Sequence, residues 1–238
     1  MREELAALPQ ASVPERCLLA SLYEDQRLVD EAEASLAIAP HDDAAARALL
    51  AAHRVELMRR RQDWLGAARL LASQLAEGDA AGRLQRLADV VDLFRRGGDL
   101  EQAQTWAEEW RQAAPGQVQP WLALAGLHRD AFRTEAEIEL LRRAAHRFPD
   151  EQDVQVRLAE AYLLADRGDD AARIFMRLYE ASEEPVAALG WVRRMAEAAR
   201  QSGRLDRIRS DFERRAERDP RAVQPLLALT EIHAADYA

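Results

Sequence analysis

Apolar residues along this chain fall at helical spacing, in paired amphipathic stretches separated by short polar breaks. The breaks read RRRQDW (59–64), RRGGDL (95–100), RDAFRT (129–134), DRGDD (166–170) and QSGRL (201–205). Runs of β-branched residues are almost absent, and strong helix formers dominate, so the pattern predicts an all-α chain. Gly98, Gly168 and Gly203 stand where a left-handed residue can end a helix. Asp63, Asp99 and Asp169 stand where a side chain can cap the next one.

The paired stretches repeat. Pro115, Pro149, Pro185 and Pro220 are spaced 34, 36 and 35 residues apart, each between two helical stretches. Proline there stops one helix and helps start the next. Pro40 sits two longer units upstream. The segment VQPWLALAGLH (118–128) returns as VQPLLALTEIH (223–233) after 105 residues. Seven of the eleven residues are identical, and an eighth exchanges Leu127 for Ile232. The offset is three periods of about 35 residues.

On these residues the units resemble tetratricopeptide repeats, a helix–turn–helix family. The family's first helix carries a large residue, a Leu-small pair and an aromatic. The 118–151 unit supplies Trp121, Leu124-Ala125 and His128; the 152–187 unit supplies Leu158-Ala159 and Tyr162; the 84–117 unit supplies Val90-Val91 and Phe94. The second helix carries an early small residue and an aromatic four later, matched by Ala171 and Phe175. Ala103 with Ala107, and Ala67 with Leu71, match it in the small residue only. Small side chains at that point let two backbones approach to about 8 Å. Glu137 falls where the family has alanine, and Ile208 replaces the small residue in the 189–222 unit.

The resemblance covers roughly residues 44–238 and implies a right-handed α-α superhelix, a solenoid of about six helix pairs plus a final unpaired helix. The expected organisation is an irregular N-terminal helix pair over 1–43, a cap or degenerate repeat. Five repeats follow at about 44–80, 81–117, 118–151, 152–187 and 188–222. The segment 223–238 is then the first helix of a further repeat or a capping helix.

Composition narrows the function. The chain has 238 residues and a net charge of −9, which argues against nucleic acid as a partner. Pentatricopeptide repeats share the period and read RNA, commonly with asparagine, but this chain has no asparagine. Every basic residue is arginine, so the Lys/Asn carboxylate clamp of chaperone-tail receptors in the resembled family has no counterpart. Charge is uneven: ten acids face three arginines in 1–43, and ten arginines face six acids in 190–221. The lone Cys17 excludes an intrachain disulfide, and the five histidines show no metal-binding spacing. No catalytic motif, metal site or cofactor site is expected. Nor is a signal-peptide core or a membrane span present in the sequence, so the expected chain is soluble, cytoplasmic by default and periplasmic if cut from a longer one.

First helices line the concave side of the resembled fold, where partners bind. Late in successive first helices stand Glu56, Asp92, Gly126, Glu160, Glu197 and Glu231. Three residues on stand Arg59, Arg95, Arg129, Leu163, Arg200 and Ala234. Four before stand Ala52, Ala88, Leu122, Val156, Arg193 and Leu227. The expected groove therefore has an acidic ridge, an arginine ridge and a small or apolar strip, formed by Glu56, Arg59, Asp92, Arg95, Leu122, Arg129, Val156, Glu160, Arg193, Glu197 and Arg200. The same charges could instead be i,i+3 pairs such as Glu56–Arg59 and Asp92–Arg95, each contributing about 0.2–0.5 kcal/mol. The tryptophans are expected to pack in the core rather than form a ligand cage, and His128 and His233, in equivalent slots, to pack with one hydrogen bond rather than catalyse.

The expected function is a non-catalytic scaffold that holds a peptide, helix or partner domain in the groove. The alternative is a spacer or assembly segment of a longer repeat protein, as in a secretion or polysaccharide-export apparatus. The apolar last helix, with Leu226, Leu227, Leu229 and Ile232, suggests self-association through 223–236 or a chain cut from a longer solenoid.

Overall fold

The computed structural model describes residues 12–37, 44–75, 80–219 and 223–236, and these form thirteen helices with no strand among them. Pro40, Pro220 and the two residues after Asp236 lie outside the described residues, so the proline register is followed at Pro115, Pro149 and Pro185. The helices are α1 (Val13–Asp25), α2 (Val29–Ala37), α3 (Ala44–Arg60), α4 (Trp64–Ser73), α5 (Ala80–Arg96) and α6 (Leu100–Ala113). They continue with α7 (Gln119–Asp130), α8 (Thr134–Arg147), α9 (Gln152–Leu164), α10 (Gly168–Ala181), α11 (Pro185–Gln201), α12 (Leu205–Arg218) and α13 (Val223–Asp236). They make six successive pairs and one last helix, the helical-repeat solenoid class expected. The chain divides after Pro115 into two compact units, α1–α6 and α7–α13.

One turn closes all six pairs. Arg27, Gln62, Gly98, Phe132, Asp166 and Gly203 take φ of 59°, 62°, 79°, 56°, 56° and 68°. In each pair the next residue's N–H donates to a carbonyl five positions back, at 2.7 to 2.9 Å in five pairs and 3.0 Å for Asp99 to Phe94. This is the left-handed C-terminal motif that satisfies orphan carbonyls and forbids the helix from running on. Glycine adopts it without a Cβ penalty, as expected at Gly98 and Gly203. Gly168 departs from that expectation. Asp166 supplies the left-handed residue, and Gly168 opens α10, where it is buried. The α1–α2 turn shares the geometry even though its sequence matches the repeats poorly.

Capping follows the aspartates in two places and fails in a third. Asp63 accepts the Gly66 N–H at 2.9 Å, and Asp99 accepts the Gln102 N–H at 3.1 Å. Asp169 lies inside the first turn of α10 and binds Arg204 at 2.6 Å. The reason is the same shift: α10 begins one residue before the aspartate, so its carboxylate points to a neighbour instead of its own helix.

Within each unit every helix packs on its chain neighbours, and α1 also touches α3, as α11 touches α13. The small residues serve the close approaches. Ala67, Ala103, Ala107 and Ala171 are fully buried. Ala171, Phe175 and Tyr179 form a buried i, i+4, i+8 stripe on α10. That stripe belongs to a core running from Ala125 to Ile232 in the second unit. Two of the tryptophans, both half-buried, pack on other aromatics: Trp191 stacks on Phe175 with centroids 6.2 Å apart, and Trp121 meets Phe148 edge-on at 6.3 Å. Ile208, which replaces the small residue on α12, is half-buried and packs against the second unit's core.

The first unit has its own core of Ala20, Tyr23, Ala32, Leu36, Leu50 and Leu57. Arg61, just past α3, ties it together. Its Nε reaches the two Glu24 oxygens at 2.9 and 2.7 Å, and a terminal nitrogen reaches Glu33 at 3.3 Å. These hydrogen bonds hold the Glu24 carboxyl below its ordinary value, against the opposing pull of burial, with the Arg61 charge adding to them. A carboxylate whose folded pKa is depressed contributes stability above its unfolded pKa and loses it as pH falls through the folded one. The first unit is therefore expected to weaken as pH drops below about 4.3. Glu24→Gln should be less stable at neutral pH and show a flatter acid limb in urea titrations run over a pH series; identical acid limbs would rule the pair out as the cause.

Candidate functional site

In the second unit some of the candidate charges meet across the odd-numbered helices. Arg129 at the end of α7 reaches Glu160 of α9 at 3.3 Å. Glu160 in turn lies 3.7 Å from Arg194 of α11, whose guanidinium covers the Trp191 ring at 5.6 Å. Arg193 of α11 donates to both oxygens of Glu231 on α13, at 3.0 and 3.2 Å. The hydrogen bonds and charge of Glu231 hold the Arg193 pKa above the ordinary arginine value. The ridges thus run from helix to helix rather than along single helices. Long-range pairs at spacings of 31, 34 and 38 residues are what a stack of 35-residue units places side by side.

Between α11 and α13 this surface sinks into a cleft of about 320 Å³ lined by Arg193, Glu197, Arg200, Glu231, Ala234 and Ala235. Glu197 and Arg200 are exposed, and neither side chain has an ion-pair or hydrogen-bond partner among the described residues. Arg193 and Glu231 are bridged across its lining, and Ala234 and Ala235 are its two apolar residues. Leu122, half-buried, packs against the core from α7; Val156 is half-buried on α9.

Arg129 has a second and deeper engagement. Its Nε donates to Glu137 Oε1 at 2.8 Å, and Glu137 is 1% exposed. Burial works against the Arg129 charge, but Glu137 and then Glu160 outweigh it and raise its pKa. Glu137 occupies the position where the repeats carry alanine. A buried carboxylate there is tolerated because the preceding helix ends in an arginine that neutralises it. Only the register of a folded pair brings residues 129 and 137 together, so the sequence did not flag Glu137 as Arg129's partner.

The first unit carries the remaining candidates. Glu56 pairs with Arg60 at 3.5 Å and Asp92 with Arg96 at 2.8 Å, both i,i+4 rather than i,i+3. Arg59 instead faces Asp89 of α5 at 3.9 Å. Arg95 is exposed near the end of α5. Each of these two acids thus pairs with the arginine one position beyond the i,i+3 partner, on the same helix face.

On α13 the last helix buries Ala228 and Ile232 and exposes Val223, Leu226 and Leu227. His128 is half-buried, whereas its counterpart His233 is exposed. Among the described residues no group of three or more His, Cys, Asp or Glu side chains could hold a metal ion. No described helix is long and apolar enough to cross a membrane.

No family model matches the chain, and no curated protein sequence matches it. Solved structures do resemble it. A tetratricopeptide repeat protein from Parabacteroides merdae superposes with a TM-score of 0.52 at 16% identity, over 94% of this chain and 87% of that one. The crystal structure of MamA gives 0.51 at 12% identity, over 77% and 94%. A signal-transduction ATPase with a tetratricopeptide repeat sensor, from Pyrococcus horikoshii, gives 0.54 at 16% identity over 98% of this chain, which spans 38% of that protein. At such identities the likeness is one of fold, and the fold is the tetratricopeptide type.

Proposed function

We propose that this tetratricopeptide-type chain is a non-catalytic scaffold that docks a polypeptide partner across α9, α11 and α13 of its second unit. The observation that carries the reading is the α11–α13 cleft, where Glu197 and Arg200 stand exposed without partners among the described residues, beside two alanines. Unpartnered charges of both signs offer register-fixing contacts to a peptide or helix, while Ala234 and Ala235 admit an apolar side chain. The Arg193–Glu231 pair ties α11 to α13 beside the cleft. In this reading Arg129 is a structural residue, since reversing it would leave Glu137 buried against a second carboxylate. Glu56, Arg59, Asp92 and Arg95 form a corresponding candidate surface in the first unit.

The test is capture of partners from the native cell by the tagged chain, identified by mass spectrometry, beside an Arg193→Glu/Arg200→Glu variant. Both positions are exposed, so the helical circular dichroism should be unchanged while capture falls by about tenfold or more. Equal capture by a folded variant would sink the assignment of the cleft.

A further inference from the structure

Two further clefts open on the second unit along α8, α10 and α12, and nothing in the proposed scaffold role requires them. A cleft of about 700 Å³ opens between α8, α9 and α10, with Arg142, His146, Arg173 and Arg177 around it and Leu158 and Ile174 in its floor. A second cleft of about 370 Å³ lies against α10, α11 and α12, with Arg173, Arg204 and Arg207 around Met176 and Ile208. The two clefts share Arg173 in their lining and lie side by side along α10, a trough in two parts.

The charge of this trough opposes that of the chain. Five arginines line it against two carboxylates, Asp169 and Asp170. Both carboxylates are already engaged, Asp169 by Arg204 and Asp170 by Arg167 and Arg173. Arg142, Arg177 and Arg207 are exposed and have no side-chain partner among the described residues. Three uncompensated guanidiniums over aliphatic floors, in a protein of net charge −9, mark a local preference for anionic groups that also carry apolar side chains.

We infer that the trough binds an acidic segment of a partner polypeptide, its carboxylates on Arg142, Arg177 and Arg207 and its apolar side chains in the two floors. A nucleic acid fits less well. The floors offer no exposed aromatic face for base stacking, since Tyr162 is 8% exposed and covered by Arg167. The negative chain also repels an extended polyanion beyond the trough. A peptide that alternates acidic and apolar residues satisfies both features of the surface at once.

Fluorescence anisotropy with a labelled peptide of about 12 residues alternating Glu and Leu tests this, beside a Gln-for-Glu analogue and a single-stranded oligonucleotide of similar length. The acidic peptide should bind at least about tenfold tighter than the analogue, in a salt-sensitive way. The Arg142→Gln/Arg177→Gln/Arg207→Gln variant should lose that preference, and Arg177→Gln alone should lose part of it. Arg193→Glu/Arg200→Glu should bind the peptide like the wild type, so that the two surfaces fail or stand separately. Equal binding of the acidic peptide and its analogue overturns the inference, as does tighter binding of the oligonucleotide. So does an unchanged affinity in the folded triple variant. Self-association of the chain that the triple variant abolishes, with no peptide binding, would assign the trough to a second copy and overturn it as well.

Discussion

Gly168→Ala is expected to destabilise the second unit by about 2–3 kcal/mol, although helix propensity alone would make alanine the better residue by about 1 kcal/mol. Gly168 lies in the first turn of α10, and an added Cβ would sit 2.4 Å from the Ala198 carbonyl oxygen of α11 and 3.1 Å from the Ser202 Cβ. The nearest obstacle is backbone, so relief requires the two helices to part. Parting them disturbs the contact that carries Ala171, Ala172 and Phe175 into the core. Gly190 is the control. It sits mid-helix in α11 with nothing within 4 Å of an added Cβ. Gly190→Ala should therefore stabilise by about 0.5–1 kcal/mol. Urea titration of the two variants should give midpoints displaced in opposite directions; two stabilised proteins would mean that α10 and α11 do not meet at Gly168.

Phe212→Ala should cost about 3–5 kcal/mol, the range for removing a large side chain from a packed interior. Phe212 is fully buried and meets the Tyr179 ring at 5.3 Å and 66°, with the Arg215 guanidinium 5.4 Å from its own ring. α12 is otherwise strongly charged, and Leu205 is the only other residue it buries. Losing Phe212 thus removes most of what holds α12, and α13 packs on α12. Faster trypsin cleavage within the arginine-rich 204–218 segment should accompany the lower urea midpoint. A loss below about 1 kcal/mol would show that α12 is held by its ion pairs instead, which at the surface rarely contribute more than that.

Much of the fold was legible because it follows from local chemistry. The proline and small-residue phases reported the pairs, since Ala67, Ala103 and Ala171 sit where backbones must approach, and all three are fully buried. Gly98 and Gly203 reported their turns because glycine is the residue that adopts positive φ without strain. Gln62, Phe132 and Asp166 make the same turn without announcing it, because the surrounding hydrogen bonds impose the conformation. Gly168 was legible as a needed glycine but not for its reason, which is a neighbour 30 residues away. The candidate site was legible as a set of charged rows. Which acid meets which arginine depends on the offset between stacked helices, and no single helix encodes it. Arg194 and the pairing of Glu137 with Arg129 escaped notice for that reason.

The shared left-handed turn has a kinetic consequence. Each pair is closed by a stop only a few residues long, so its two helices meet at little cost in loop entropy. The main helix contacts within each unit join helices that are neighbours or next but one in the chain. A chain of such low contact order can zip from any pair that forms first, without waiting for its ends to find each other. Folding can then begin on whichever pairs have already been made while the rest is still being synthesised.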